Sequence, residues 1–105
     1  MIVYLHGLNS SGNAGKACWL RERLAPVAFH APTYPAHRAN ESMRTLRALL
    51  TALRHDAPHD DRLMLIGSSL GGFYAQGLAA EFGARLVLIP FPGAERIDGD
   101  PGELG

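Results

Sequence analysis

Apolar residues along this chain fall into two kinds of run that alternate from the first residue onward. Ile2-Val3-Tyr4-Leu5 is apolar at every position, so it predicts a short strand buried on both faces that ends at His6-Gly7. Asn9-Ser10-Ser11-Gly12-Asn13 is turn chemistry whose side chains suit a helix N-cap. Ala17, Leu20, Arg21 and Leu24 then recur at helical spacing until Pro26 ends the segment. Val27–Ala31 predicts a second, weaker strand. The next four residues, Pro32-Thr33-Tyr34-Pro35, predict a rigid extended loop, because proline fixes its own φ and biases its predecessor away from helix.

Asn40 and Glu41 predict the opening of the next helix, a capping side chain followed by an acid near the positive end of the dipole. Met43, Leu46, Leu49, Leu50 and Leu53 form its apolar stripe. Leu63-Met64-Leu65-Ile66 is the most apolar strand and runs straight into Gly67-Ser68-Ser69-Leu70-Gly71-Gly72. A helix from about Leu70 to Phe82 follows, stopped by Gly83, and Arg85–Ile89 is the fourth strand. Strand and helix alternating in this way, with apolar strands, predict an α/β fold: about four parallel strands with helices on both faces in three layers. Residues 1–92 form the domain in this reading. From 93 to 105 four glycines, one proline and four acids accompany only three aliphatic residues, which predicts a flexible acidic tail.

Composition narrows the function classes. Lys and Arg balance Asp and Glu at ten each and no basic stripe appears, so nothing supports a nucleic-acid partner. The longest apolar runs, Met1–Leu5 and Leu86–Ile89, are too short to span a bilayer, and no secretory leader is visible. The lone Cys18 rules out an internal disulfide and fits a reducing cytoplasm. The five histidines are not at ligand spacing. His55 and His59 are four apart, but Pro58 between them breaks the helix that would align them, so no metal is expected.

The chemistry concentrates at Gly67-x-Ser69-x-Gly71, which lies after a buried strand and before a helix, the position of a nucleophile elbow. The pattern alone arises by chance in roughly 3% of chains of this length; its strand–turn–helix context makes it more specific. In such a turn the serine takes a strained backbone conformation that lifts its hydroxyl off the sheet, and the flanking positions are too crowded for side chains. The following helix points unpaired N–H groups at the hydroxyl, so the Leu70 N–H is one candidate oxyanion donor. His6-Gly7-Leu8 at the end of the first strand supplies the other, the Leu8 N–H. A phosphate loop would carry a lysine after its glycines, and none is near.

These two segments, His6-Gly7-Leu8-Asn9-Ser10-Ser11 and Gly67-Ser68-Ser69-Leu70-Gly71-Gly72-Phe73-Tyr74, resemble the YqiA-like bacterial esterases over about residues 1–89. The resemblance implies a partial α/β-hydrolase fold, no cofactor, and a small-molecule acyl ester or acyl thioester as substrate. It further implies Ser69 as nucleophile, Leu8 and Leu70 as oxyanion donors, with His6, Gly7, Gly67 and Gly71 supporting the motif. Tyr74 falls where that family also places an aromatic residue. Two departures stand out. The stretch Pro90-Phe91-Pro92 replaces an Asn-Pro-containing loop, and no histidine follows Ser69, although the triad order of this fold is serine, acid, histidine.

His6 reads as a structural residue holding the oxyanion loop rather than as a base. His30 and His37 read as surface histidines near the ligand-binding edge of the sheet. Ser68 reads as a turn filler, and Cys18 and Trp19 as packing or partly exposed helix residues. Arg44, Arg47 and Arg54 read as a solvated helix face. Asp98 and Asp100 follow Ser69 in chain order, but in a loose tail. The sequence therefore predicts an esterase-type serine hydrolase whose chain is incomplete and whose activity is impaired by the missing acid and histidine. A non-catalytic remnant and a flavodoxin-like binding domain are the alternatives. A sheet stopping at its fourth strand predicts an exposed apolar edge open to self-association.

Overall fold

In the computed structural model residues 1–8, 15–59 and 62–89 are described. The order is β1 (Ile2–Leu5), α1 (Gly15–Leu24), β2 (Phe29–His30), α2 (Ala39–Asp56), β3 (Met64–Ser68), α3 (Leu70–Phe82) and β4 (Arg85–Ile89). All strands are parallel, in the spatial order β2-β1-β3-β4. The two uniformly apolar runs, β1 and β3, occupy the middle, as strands without a polar face must.

Alternation along the strands divides the core in two. Val3, Leu5 and Leu65 face α2 and α3, where Leu46, Leu50, Tyr74, Ala75 and Leu78 complete one cluster. Ile2, Tyr4 and Ile66 face α1, meeting Ala17 with Leu20 and Leu24 at its margin. The result is the predicted α/β three-layer arrangement, a four-stranded parallel sheet with one helix on one face and two on the other. Each fully buried leucine in these clusters contributes about 1.5–3 kcal/mol.

Several expectations shift. The second strand is only Phe29–His30, not Val27–Ala31. The Val27 N–H is drawn back to the Leu24 carbonyl at 3.0 Å, which closes a turn, and Pro32 has no N–H with which to extend the ladder. The second helix is not capped by Asn40. Pro35 accepts the Arg38 N–H at 2.8 Å, so the turn delivers Arg38 as the N-cap, and Asn40 lies inside the helix. Arg38 makes no side-chain cap and instead pairs with Glu41 at 3.3 Å. Ser68 is no turn filler but the buried last residue of β3.

Cys18 and Trp19 are exposed on α1. Of the three arginines on α2, Arg47 bridges to Glu81 of α3 at 2.7 Å and Arg54 lies over the Phe82 ring at 5.6 Å, so this face is partly tied to its neighbour. The turn cluster 9–13, Pro90-Phe91-Pro92 and the tail 93–105 lie outside the described residues. Among the described residues, no helix is long and apolar enough to cross a membrane.

Candidate functional site

The register of the sheet sets the site. Ile2 lies beside Met64 and Leu5 beside Gly67, so β1 and β3 end almost flush. His6-Gly7-Leu8 and the Ser68-Ser69-Leu70 turn therefore leave the same edge side by side. A Cβ placed on Gly7 would stand 3.1 Å from Ser69 Cβ, 3.2 Å from the Ser68 carbonyl and 3.6 Å from Ser69 Oγ. Glycine at position 7 is what allows this approach.

Ser69 has φ 54° and ψ −120°, and it is the one non-glycine residue with positive φ among the described residues. Such a conformation costs about 1–3 kcal/mol and persists only where its surroundings impose it. Here they do. Its N–H donates to the Ile89 carbonyl of β4 at 3.2 Å, and its carbonyl accepts the Gly72 N–H at 2.9 Å. The chain reverses so tightly that a Cβ on Gly67 would fall 2.5 Å from Gly72 Cα, and one on Gly71 would run into the Leu5 and His6 carbonyls. Both glycines of the motif are thus sterically required. Leu70 is the first residue of α3, where helix geometry leaves N–H groups without intrahelical partners. Ser69 is half-buried.

His6 is 1% exposed, and its position answers what its ring does. The Tyr34 backbone N–H lies 3.2 Å from Nε2, which must therefore accept. Nδ1 then carries the proton and donates to the Gly7 carbonyl at 2.7 Å. With both nitrogens occupied, His6 is a strut of the loop rather than a free base. Among the described residues no imidazole hydrogen-bonds the Ser69 hydroxyl. His37 is exposed, and His30 stands on the short outer strand β2, beside Val3.

Tyr34 and Ser42 are the residues that sequence reasoning missed. Tyr34 is 5% exposed, and its hydroxyl donates to the His6 carbonyl at 2.5 Å. Its ring lies 4.3 Å from the His6 ring and edge-on to Tyr74 at 5.8 Å. Burial, reinforced by the neighbouring Tyr74 and Tyr4 phenols, raises the Tyr34 phenol far above its usual range and keeps it neutral. Tyr74 donates to the Ala36 carbonyl at 2.6 Å and Ser42 to the Pro35 carbonyl at 2.6 Å, so α2 and α3 both grip the 32–36 loop. The available signal was a tyrosine held in a short loop between two prolines.

The model of a family described as "Uncharacterised protein family (UPF0227)" matches residues 1–93. That span contains both glycine motifs, the 32–36 loop and all four strands. The chain belongs to this family, the YqiA-like family of the resemblance drawn from His6–Ser11 and Gly67–Tyr74.

Proposed function

We propose that this chain is a serine hydrolase of the esterase or thioesterase type, with Ser69 as nucleophile. The observation that carries the reading is the Ser69 backbone, held at positive φ between a buried strand and a helix by two glycines that admit no side chain. In the mechanism, Ser69 Oγ attacks the carbonyl carbon of an acyl ester or thioester. The oxygen takes up the negative charge and is met by the N–H groups of Leu8 and Leu70. Collapse expels the alcohol or thiol, which carries off the proton given up by the Ser69 hydroxyl, and water then cleaves the acyl-enzyme, restoring that hydroxyl and releasing the acid. No cofactor enters these steps.

The general base is unassigned: among the described residues no imidazole hydrogen-bonds the Ser69 hydroxyl, and removing the base of a serine hydrolase can cost on the order of a million-fold in kcat. The non-catalytic reading rests on that observation. Hydrolysis of short-chain nitrophenyl esters and of acyl-coenzyme A separates the two. Slow turnover that Ser69→Ala removes supports the hydrolase; equal rates in both proteins contradict it. For self-association, the support is β4, whose outer side meets no strand among the described residues and whose Leu86, Val87 and Leu88 are 38%, 41% and 47% exposed.

A further inference from the structure

We propose that Tyr34 is the positioning residue of the oxyanion loop, setting the direction of the Leu8 N–H through His6. The inference rests on the serine-hydrolase reading of Ser69 and adds to it a residue outside both glycine motifs.

The argument follows the peptide between Gly7 and Leu8. In a trans peptide the C=O and N–H point in opposite directions from one rigid plane. Whatever fixes the Gly7 carbonyl therefore also aims the Leu8 N–H. The Gly7 carbonyl is fixed by His6 Nδ1–H at 2.7 Å. That bond exists only in the tautomer with the proton on Nδ1, and the tautomer is selected by the Tyr34 backbone N–H, which donates to Nε2 at 3.2 Å. The other tautomer would set two donors against each other at Nε2 and two acceptors at Nδ1.

The same tyrosine holds His6 in a second way. Its hydroxyl donates to the His6 carbonyl at 2.5 Å while its ring lies against the imidazole at 4.3 Å. One residue thus grips His6 by side chain and backbone together. Tyr34 is in turn held by the edge of Tyr74 at 5.8 Å, and its loop by the hydroxyls of Tyr74 and Ser42. Because Tyr74 belongs to α3, which starts at the elbow, the network ties the two oxyanion-bearing segments to one loop. Generic core packing would not require a tyrosine here. Phenylalanine would fill the same space and leave the His6 carbonyl without this donor.

The test is the rate at which a fluorophosphonate modifies Ser69, resolved into kinact and KI, because phosphonylation also develops charge on an oxygen in the same cradle. Tyr34→Phe keeps the ring and the backbone N–H and loses only the hydroxyl. The expected result is a fall in kinact of about ten-fold with KI unchanged. His6→Asn, which can keep an N–H near the place of Nδ1, is expected to retain more of the rate than His6→Leu, which loses about 100-fold. If Tyr34→Phe reacts as fast as the parent, or loses only in KI, or if His6→Asn is no faster than His6→Leu, the positioning role is wrong while the serine reading stands. A parent chain that is not labelled at Ser69 contradicts the serine reading and takes this inference with it.

Discussion

Ser69 stores backbone strain that no other side-chain-bearing described residue shares, and strain of this kind is relieved by glycine. Ser69→Gly is therefore expected to be more stable than Ser69→Ala by about 1 kcal/mol in urea unfolding, although both lack the hydroxyl. Equal midpoints would mean the positive φ is not populated in solution. The neighbouring glycines behave oppositely. Gly71→Ala drives a methyl into the Leu5 and His6 carbonyls and is expected to cost about 3 kcal/mol or more, read in the same experiment. Tyr34 adds a pH dependence. Its phenol is raised in the folded state, so above the ordinary phenol value of about 10 the unfolded chain releases a proton that the folded chain keeps, and stability falls as pH rises. Tyr34→Phe should flatten that alkaline decline, and an unchanged decline would place its cause elsewhere. At this scale the tight Gly67-x-Ser69-x-Gly71 turn was legible because its constraints are local: the three residues lie within five positions. Tyr34 was not, since its hydrogen bonds join residues 28 apart and depend on a strand register that no short pattern reveals.

Among the elements, those with unambiguous stop signals were read to the residue. Gly83 adopts the left-handed cap at φ 64° and ψ 36°, ending α3 at Phe82 as its position predicted, and β4 spans Arg85–Ile89. The elements on either side of the Pro32–Pro35 loop, β2 and the start of α2, differ from expectation. Around β2 and at the start of α2, the hydrogen bonds of the turns, Val27 to Leu24 and Arg38 to Pro35, outcompeted the strand propensity of Val27 and the capping propensity of Asn40. Gly77 gives a clean test of packing within α3. It lies on an exposed part of the helix, and an added Cβ would meet only Met43 Cε at 3.8 Å. Gly77→Ala is expected to stabilise by about 0.5–1 kcal/mol, because helix entropy improves and nothing clashes. A loss of stability would mean that α2 and α3 pack more closely than this. The Arg47–Glu81 bridge between these helices is exposed on both sides, and a double-mutant cycle is expected to return only about 0.2–1 kcal/mol.

For the described residues as a whole, the imbalance lies between the two outer strands of the sheet. β2 is two residues long, as protected edges often are, whereas β4 presents five residues with apolar side chains on both faces. Leu88 leans toward Gly72 on the α3 side and Ile89 packs into the α1-side cluster, so Val87 projects on the α1 side with substantial exposure. Val87→Lys is expected to reduce concentration-dependent association in sedimentation velocity without unfolding the chain. A parent chain that stays monomeric throughout would show that this edge is otherwise covered. In the proposed reading, the loop ends of the adjacent strands β1 and β3 meet at Ser69. Intact-mass analysis after treatment with a fluorophosphonate, followed by peptide mapping, tests this most directly. The account predicts one adduct, on Ser69, absent from Ser69→Ala and from the urea-unfolded chain; an unmodified protein, or a label that settles on another residue, would contradict it.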